Sequence, residues 1–261
     1  MRRLVDMIGL RRLETEKPSV LADTAVFAIG DIHGRLDLLV AMHQEIHKVA
    51  RSLPVSTRKT IVYLGNYIDF GPDSNDVIDT LLSVCMPGFR TVYLMGEHEH
   101  HFMAFLKGKN TPQIRSWLYD QGGLRTLVSY GVDVTLNTSQ AAMTEMRVEL
   151  LRKIPTDHLS FLENLQLSHS VGDFFFAHAG IDPKRPLKEQ NPSDLLTITD
   201  GFLDCNQVLD KVVIHGHTEY KTPCIRNNRI GLNTAAHNSN VLSAVMIYAD
   251  KFKIIQARVS A

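Results

Sequence analysis

Cysteine, tryptophan and net charge are what this chain has least of. Its 261 residues include three cysteines, at 85, 205 and 224, an odd and widely spaced set. They make neither a disulfide framework nor a CxxC zinc pair, which fits a reducing cytoplasm. Lys and Arg number 28 and Asp and Glu 28, so there is no electrostatic footprint for duplex DNA or an anionic membrane. No apolar run approaches the roughly eighteen residues of a spanning helix. The sequence thus argues against a transmembrane protein, a nucleic-acid binder and a disulfide-stapled scaffold. Apolar residues at 44% and charged residues at 21% suffice for one sizeable core. Histidine is what the chain has in excess, with twelve residues, and imidazole is the commonest metal ligand.

The first twelve residues have the basic flanks of a signal peptide, but Asp6 interrupts the short apolar stretch and no small-residue cleavage site follows. Residues 1–20 are expected to form a basic amphipathic arm available to a partner, and 21–261 a single domain. Pro18 marks the approach to its folded body. Within that domain, short apolar runs end in glycine or histidine and then release ligand-type residues. Ala25–Ile29 leads into Gly30-Asp31-Ile32-His33-Gly34, and Thr60–Leu64 into Gly65-Asn66-Tyr67-Ile68-Asp69-Phe70-Gly71. Thr91–Met95 leads into Gly96-Glu97-His98-Glu99, Phe174–Phe176 into Ala177-His178-Ala179-Gly180, and Val212–Ile214 into His215-Gly216-His217-Thr218. Such runs suit strands buried on both faces.

Leu39, Met42, Ile46, Val49 and Leu53 mark one face of a helix between the first two strands, and 76–85 another before the third. That order predicts a mainly parallel sheet with right-handed crossovers. Its ligand site is expected at the strand C-termini, where all five clusters lie. Residues 101–168 are helical in pattern, at 113–119, 123–130, 141–153 and 156–165, and are expected to form an insertion covering one side of the site. After Pro223, runs at 224–226, 229–232, 241–248 and 252–259 flank Asn227-Asn228 and Asp250-Lys251 turns. These hairpins predict an antiparallel sheet packed against the first.

The strand-end inventory is Asp31, His33, Asn66, Asp69, Glu97, His98, His178 and His217. Imidazole mixed with oxygen donors suits manganese, iron or zinc better than magnesium or calcium. Gly-Asp-Ile-His-Gly at 30–34, Gly-Asn-Tyr-Ile-Asp-Phe-Gly at 65–71 and Gly-Glu-His-Glu at 96–99 resemble the three signature motifs of the phosphoprotein phosphatase family. That family lies within the calcineurin-like metallophosphoesterases. Phe176–Gly180 and Gly216-His217-Thr218 resemble its two later histidine motifs, in the right order. The resemblance runs from about residue 25 to about 248 and is to bacterial members of the serine/threonine phosphatase type.

The resemblance implies an α/β fold of two packed mixed β-sheets flanked by helices. It implies two divalent ions, manganese first, with iron or zinc as alternatives. Asp31 and His33 would hold one ion and His178 and His217 the other, with position 66 bridging and position 97 completing the second. His98 would be the general acid, oriented by Asp69. The implied reaction is hydrolysis of a phosphorylated protein or small phosphoester in the cytoplasm, by a metal-activated hydroxide. It assigns no residue to substrate binding.

The departures carry as much as the matches. The family has Asp where Asn66 stands and Asn where Glu97 stands, so an acid and an amide have changed places. Glu97 has the reach either to take over the bridge or to strengthen the second site. The family's phosphate-gripping Arg is replaced by Phe70, and a second such Arg is missing from the counterpart segment 197–202. Asn-Thr-Ala-Ala at 233–236 stands for the family's Asp-Thr-Gly-Ala. These losses leave open a degenerate phosphatase that binds a phosphoprotein or metal as a regulatory module. Hydrolysis of dinucleoside polyphosphates ranks lower, because relatives of that type carry Asp where Glu99 stands. Glu99 is expected to support its loop through backbone hydrogen bonds and Trp117 to pack in the core or a lid. His43 and His47 are expected on a solvated helix face, His158 and His169 at the surface, His100 and His101 at a helix start. His215 is expected behind a ligand. His237 is placed equally well in the pocket or outside it, and Arg226 and Arg229 on a solvated turn, with one as a substitute clamp the rival reading.

Overall fold

The computed structural model describes residues 17–83 and 86–259. Most of the expected N-terminal arm, and Cys85, lie outside them. Ser19 and Val20 are already tied to the body, through Ser19 N–H to Asp173 at 2.9 Å and Val20 N–H to Ala249 O at 3.0 Å.

The chain opens β1 (Thr24–Ile29), α1 (Leu36–Ala50), β2 (Arg58–Tyr63), α2 (Ser74–Ser83) and β3 (Phe89–Tyr93). Five helices follow: α3 (Glu97–Leu106), α4 (Pro112–Asp120), α5 (Gly123–Ser129), α6 (Gln140–Lys153) and α7 (Thr156–Glu163). Then come β4 (Ser168–Val171), β5 (Phe174–Ala177), α8 (Pro192–Thr197), α9 (Asp200–Leu203) and β6 (Val212–His215). The chain closes with β7 (Cys224–Ile225), β8 (Arg229–Gly231), α10 (Ala236–Ser239), β9 (Val241–Tyr248) and β10 (Lys251–Arg258). Helix starts follow local chemistry. Thr111 and Ser139 accept the Ile114 and Ala142 N–H groups as side-chain caps, and Pro112 opens α4.

Two five-stranded mixed sheets result, ordered β10-β9-β1-β2-β3 and β4-β5-β6-β8-β7. Strand periodicity sorts each central strand between two cores. Ala25, Phe27 and Ile29 of β1 join the core under the helices, with Leu39, Met42 and Ile46 of α1. Val26 and Ala28 face the second sheet, where Phe174, Phe176, Val212 and Ile214 meet them. The far face of the second sheet, Phe175, Ala177 and Val213, packs on Leu195 and Phe202. Burial on both sides is why these strands read as continuous apolar runs.

Register positions the site. Ile29 pairs with Tyr63 and Tyr63 with Tyr93, so the three loops that follow start level. In the second sheet Phe176 pairs with Ile214, bringing the histidine loops after β5 and β6 alongside each other.

Three expectations are corrected. The C-terminal strands do not make a sheet of their own. β7 and β8 extend the second sheet, with β8 parallel to β6, while β9 lies antiparallel to β1 in the first. The hairpin signal is local, but sheet membership is decided by which buried edge each strand meets. His43 is not solvated: it is 6% exposed and its Nε2 meets Tyr63 Oη at 2.8 Å. His158 is fully buried, between Tyr130 Oη and Asp79, each at 2.9 Å. Each imidazole found a long-range partner that helical spacing does not reveal. β4, at the end of the predicted insertion, is a strand pairing with β5.

Burial lowers the His43 pKa from 6.5 to about 4. A depressed folded pKa means stability that is present above the unfolded value and lost as pH falls toward the folded one. His43→Gln removes the titration and keeps a polar partner for Tyr63. Between about pH 7.5 and about pH 5, urea unfolding should show the variant losing about 2 kcal/mol less stability than the parent. Equal losses would show that His43 does not titrate in this way.

Candidate metal and catalytic site

The strand-end loops meet around one buried carboxylate. Glu99, in the first turn of α3, is 0% exposed. Its Oε2 accepts the N–H groups of Asn66 at 2.8 Å and Gly96 at 3.0 Å, and its Oε1 those of Tyr67 at 2.8 Å and Ile68 at 3.3 Å. The loop after β2 is thereby pinned to the start of α3. Burial pushes the Glu99 pKa up, while neighbouring His98 and these N–H groups pull it down. The approach is too close for any side chain at Gly96, whose Cβ would lie 2.3 Å from the Asn66 N and Oδ1.

Pinned loops hold strain. His33, Asn66, Asp69, Phe70 and His217 all have φ between +50° and +74°, a region costing non-glycine residues about 1–3 kcal/mol each. Every one of them borders the site.

Asp69 and His98 form a buried pair, with the His98 Nδ1 2.6 Å from Asp69 Oδ2. The same oxygen accepts the Trp117 Nε1–H at 2.6 Å, and Oδ1 accepts the Thr126 hydroxyl. The Asp69 N–H donates to Ser74 Oγ and Thr126 Oγ1, each at 3.0 Å. The carboxylate is therefore fixed from three elements, and the Asp69 backbone from a fourth through Ser74. Burial opposes charge on His98, but the hydrogen bond and charge of Asp69, with Glu99 and Glu97 behind them, raise its pKa above the ordinary value.

The imidazoles are anchored through one nitrogen each. His33 Nδ1 lies 3.0 Å from Ile68 O, and His178 Nδ1 lies 2.8 Å from Leu64 O. Donation to a carbonyl leaves the other nitrogen as a lone pair, the ligating form. Burial holds the pKa of both well below the usual value and lowers that of His217, favouring neutral rings. His178 Nε2 is buried with no partner. His217 lies beside it, ring centroids 5.4 Å apart, and its Nδ1 is 3.5 Å from Glu97 Oε2.

Asp31 is differently placed. It is 1% exposed, and burial raises its pKa to about 7 against the pull of hydrogen bonds from Asn66 and His217. Asn66 Nδ2 donates to its Oδ2 at 3.0 Å, Asn233 Nδ2 to the same atom at 3.3 Å, and the His217 N–H to Oδ1 at 3.1 Å. Asn66 Oδ1 meanwhile accepts the His98 N–H at 3.1 Å. His33 Nε2 stands 3.9 Å from Asp31 Oδ2.

All eight residues singled out in the sequence therefore meet at one end of the two sheets. Among the described residues, no three His, Cys, Asp or Glu side chains are already gathered as a bound ion would draw them. Tested against a divalent cation, the donor chemistry of Glu97, His178 and His217 fits, and the orphaned His178 nitrogen is the sign of it. The Asp31 side fits less well, because amide N–H groups occupy its carboxylate.

Phe70 stacks on His237 with centroids 4.5 Å apart and lies 5.0 Å from His33 and 5.4 Å from His98. His237 thus lines the site. Arg229 does not reach it: it is 5% exposed, donates to the Leu203 and Cys205 carbonyls and covers the Phe202 ring, so the solvated-turn expectation is corrected for Arg229, while Arg226 is exposed as expected. Arg35 is held by Asp37, Ala236 O and Asn240. Trp117 is core, as expected, but its bond to Asp69 and that of Thr126 were missed. The single tryptophan, set in a helix that packs on α3, was the available signal.

The chain is similar to known proteins over most of its length. Residues 24–227 match the family model described as calcineurin-like phosphoesterase. An asymmetrical bis(5'-nucleosyl)-tetraphosphatase of Anoxybacillus flavithermus is 23% identical over 237 residues, covering 83% of this chain and 88% of the relative. A candidate diadenosine tetraphosphatase superposes with a TM-score of 0.57 at 19% identity, over 94% of this chain and all of its own. A cold-active protein tyrosine phosphatase of a Shewanella species does so with 0.51 at 14% identity, over 91% of this chain and 83% of its own. At these identities the structural likeness establishes the fold. With the family model matching most of its length, this chain belongs to the calcineurin-like phosphoesterase family.

Proposed function

We propose that the protein is a metal-dependent phosphomonoester hydrolase of the serine/threonine protein phosphatase type. The observation that carries this reading is the Asp69–His98 pair, at 2.6 Å, in a site that also holds a buried, unpartnered imidazole nitrogen on His178. Glu97, His178 and His217 would hold a divalent cation, which would supply Lewis acidity at the phosphoryl oxygens and acidify a nearby water. Manganese suits this mixture of donors, with iron or zinc next.

The chain's own residues account for the rest. His98, anchored through Nδ1, keeps Nε2 to deliver a proton to the departing alkoxide oxygen. Trp117 and Thr126 hold Asp69, so the imidazole is aimed before substrate arrives. Phe70 and His237 line one side with a stacked aromatic wall where the family grips phosphate with Arg. With Arg35 and Arg229 committed elsewhere, a bound cation and His98 would be the main local attraction for phosphate.

A second reading is hydrolysis of a dinucleoside polyphosphate. It is supported by the Anoxybacillus relative and by the flat face of the Phe70–His237 stack, which suits a nucleobase. Localisation in the cytoplasm belongs to the proposal. Among the described residues no helix is long and apolar enough to cross a membrane.

Release of phosphate from p-nitrophenyl phosphate and a phosphoseryl peptide, and of mononucleotides from diadenosine tetraphosphate, tests these readings together. Manganese should support turnover of the monoesters, chelation should abolish it, and His98→Ala should lower kcat by a factor of about 10²–10⁴. Faster turnover of the tetraphosphate would select the second reading. No turnover of any substrate with metal bound would reject both.

Trp117→Phe keeps a ring in the core and removes only the donor to Asp69. As a positioning change it should lower kcat about tenfold and leave KM nearly unchanged. An unaltered kcat would show that the indole N–H is not needed to aim the dyad.

A further inference from the structure

The exchange of acid and amide between positions 66 and 97 has a geometric consequence at Asp31. The Asn66 amide is used at both ends, giving an N–H to Asp31 Oδ2 at 3.0 Å and taking one from His98 at 3.1 Å. Turning it over sets its oxygen against the Asp31 carboxylate and its NH₂ against the His98 N–H, so both bonds are lost. The orientation is therefore fixed, and it points a donor, with no lone pair to offer, at the place where a bridging carboxylate would meet a cation. Asn233 Nδ2 and the His217 N–H fill further acceptor positions on Asp31, at 3.3 Å and 3.1 Å. Backbone crowds the remaining side: a Cβ on Gly216 would lie 2.1 Å from Asp31 Oδ1.

The other half of the site has the opposite character. His178 Nε2 is buried and unpartnered, while the His217 and Glu97 side chains are 19% and 24% exposed and 3.5 Å apart. One carboxylate and two neutral imidazoles make a sufficient set for a single divalent ion, with positions left open for water or substrate. Glu97 brings to this half the negative charge that Asn66 lacks.

We propose that the protein binds one divalent cation, on Glu97, His178 and His217, and that the Asn66 amide takes the place of a second cation by hydrogen-bonding Asp31. The inference rests on the phosphoesterase reading for the kind of ion and is independent of turnover. In this arrangement Asp31 is a structural acceptor that ties the loop after β1 to those after β2 and β6, and His33 packs against the aromatic wall.

Calorimetric titration of metal-free protein with manganese, read together with manganese EPR, tests this. The parent should bind one ion and give the signal of an isolated manganese. His178→Ala should abolish that site, and Asp31→Asn should leave its stoichiometry at one. Asn66→Asp should add a second ion and an exchange-coupled signal. Two ions in the parent, or a coupled signal there, would overturn the inference and leave the phosphoesterase reading standing. No ion bound by the parent would overturn both.

Discussion

The site depends on a carboxylate that does no chemistry. Glu99 takes N–H groups from Asn66, Gly96, Tyr67 and Ile68 while wholly removed from water. Burying a charge is costly unless donors surround it, and here the donors are the backbone of the loops whose side chains face the site. The same bonds satisfy backbone groups that the left-handed conformation at Asn66 takes out of any ladder. An amide in place of Glu99 would turn donors toward donors. The register of β1, β2 and β3 brings the loops level, and Glu99 then fixes their shape.

From that pin the site divides into two unlike halves. On one side the Asp69–His98 pair is held by Trp117, Thr126 and Ser74, a network in which each partner is itself buried or bonded. On the other, His178 carries a buried nitrogen without a partner. Between them lies Asp31, supplied with hydrogen bonds by neutral groups. An aspartate at position 66 would set a second carboxylate against Asp31 and near Glu99, an arrangement that needs cations to hold it. Asparagine removes that need, and glutamate at position 97 moves the charge to the rim, beside His217. Phe70 continues the same trend by replacing a guanidinium with a ring stacked on His237.

Much of this was legible in the sequence because the signals are local. An apolar run followed by glycine and ligand-type residues marks a doubly buried strand and its carboxyl end. Five such runs specified the parallel core and the convergence of Asp31, Asn66, Asp69, Glu97, His98, His178 and their neighbours. Contacts that span the chain were not legible. Trp117 and Thr126 lie 48 and 57 residues from Asp69, and no spacing rule connects them. His43 and His158 were misjudged for the same reason, since a tyrosine on another element makes each a satisfied core residue. The hairpins near the C-terminus were visible as hairpins, but their division between two sheets depends on which strand edges the core leaves open.

Where positive charge sits between these halves decides how the site works, and the location of a heavy scatterer shows it most directly. Anomalous diffraction at the manganese edge from crystals grown with the ion should give a single peak among Glu97, His178 and His217, with the Asn66 amide still bonded to Asp31. A second peak of comparable height between Asp31 and His33, with the Asn66 oxygen turned toward it, would contradict the account.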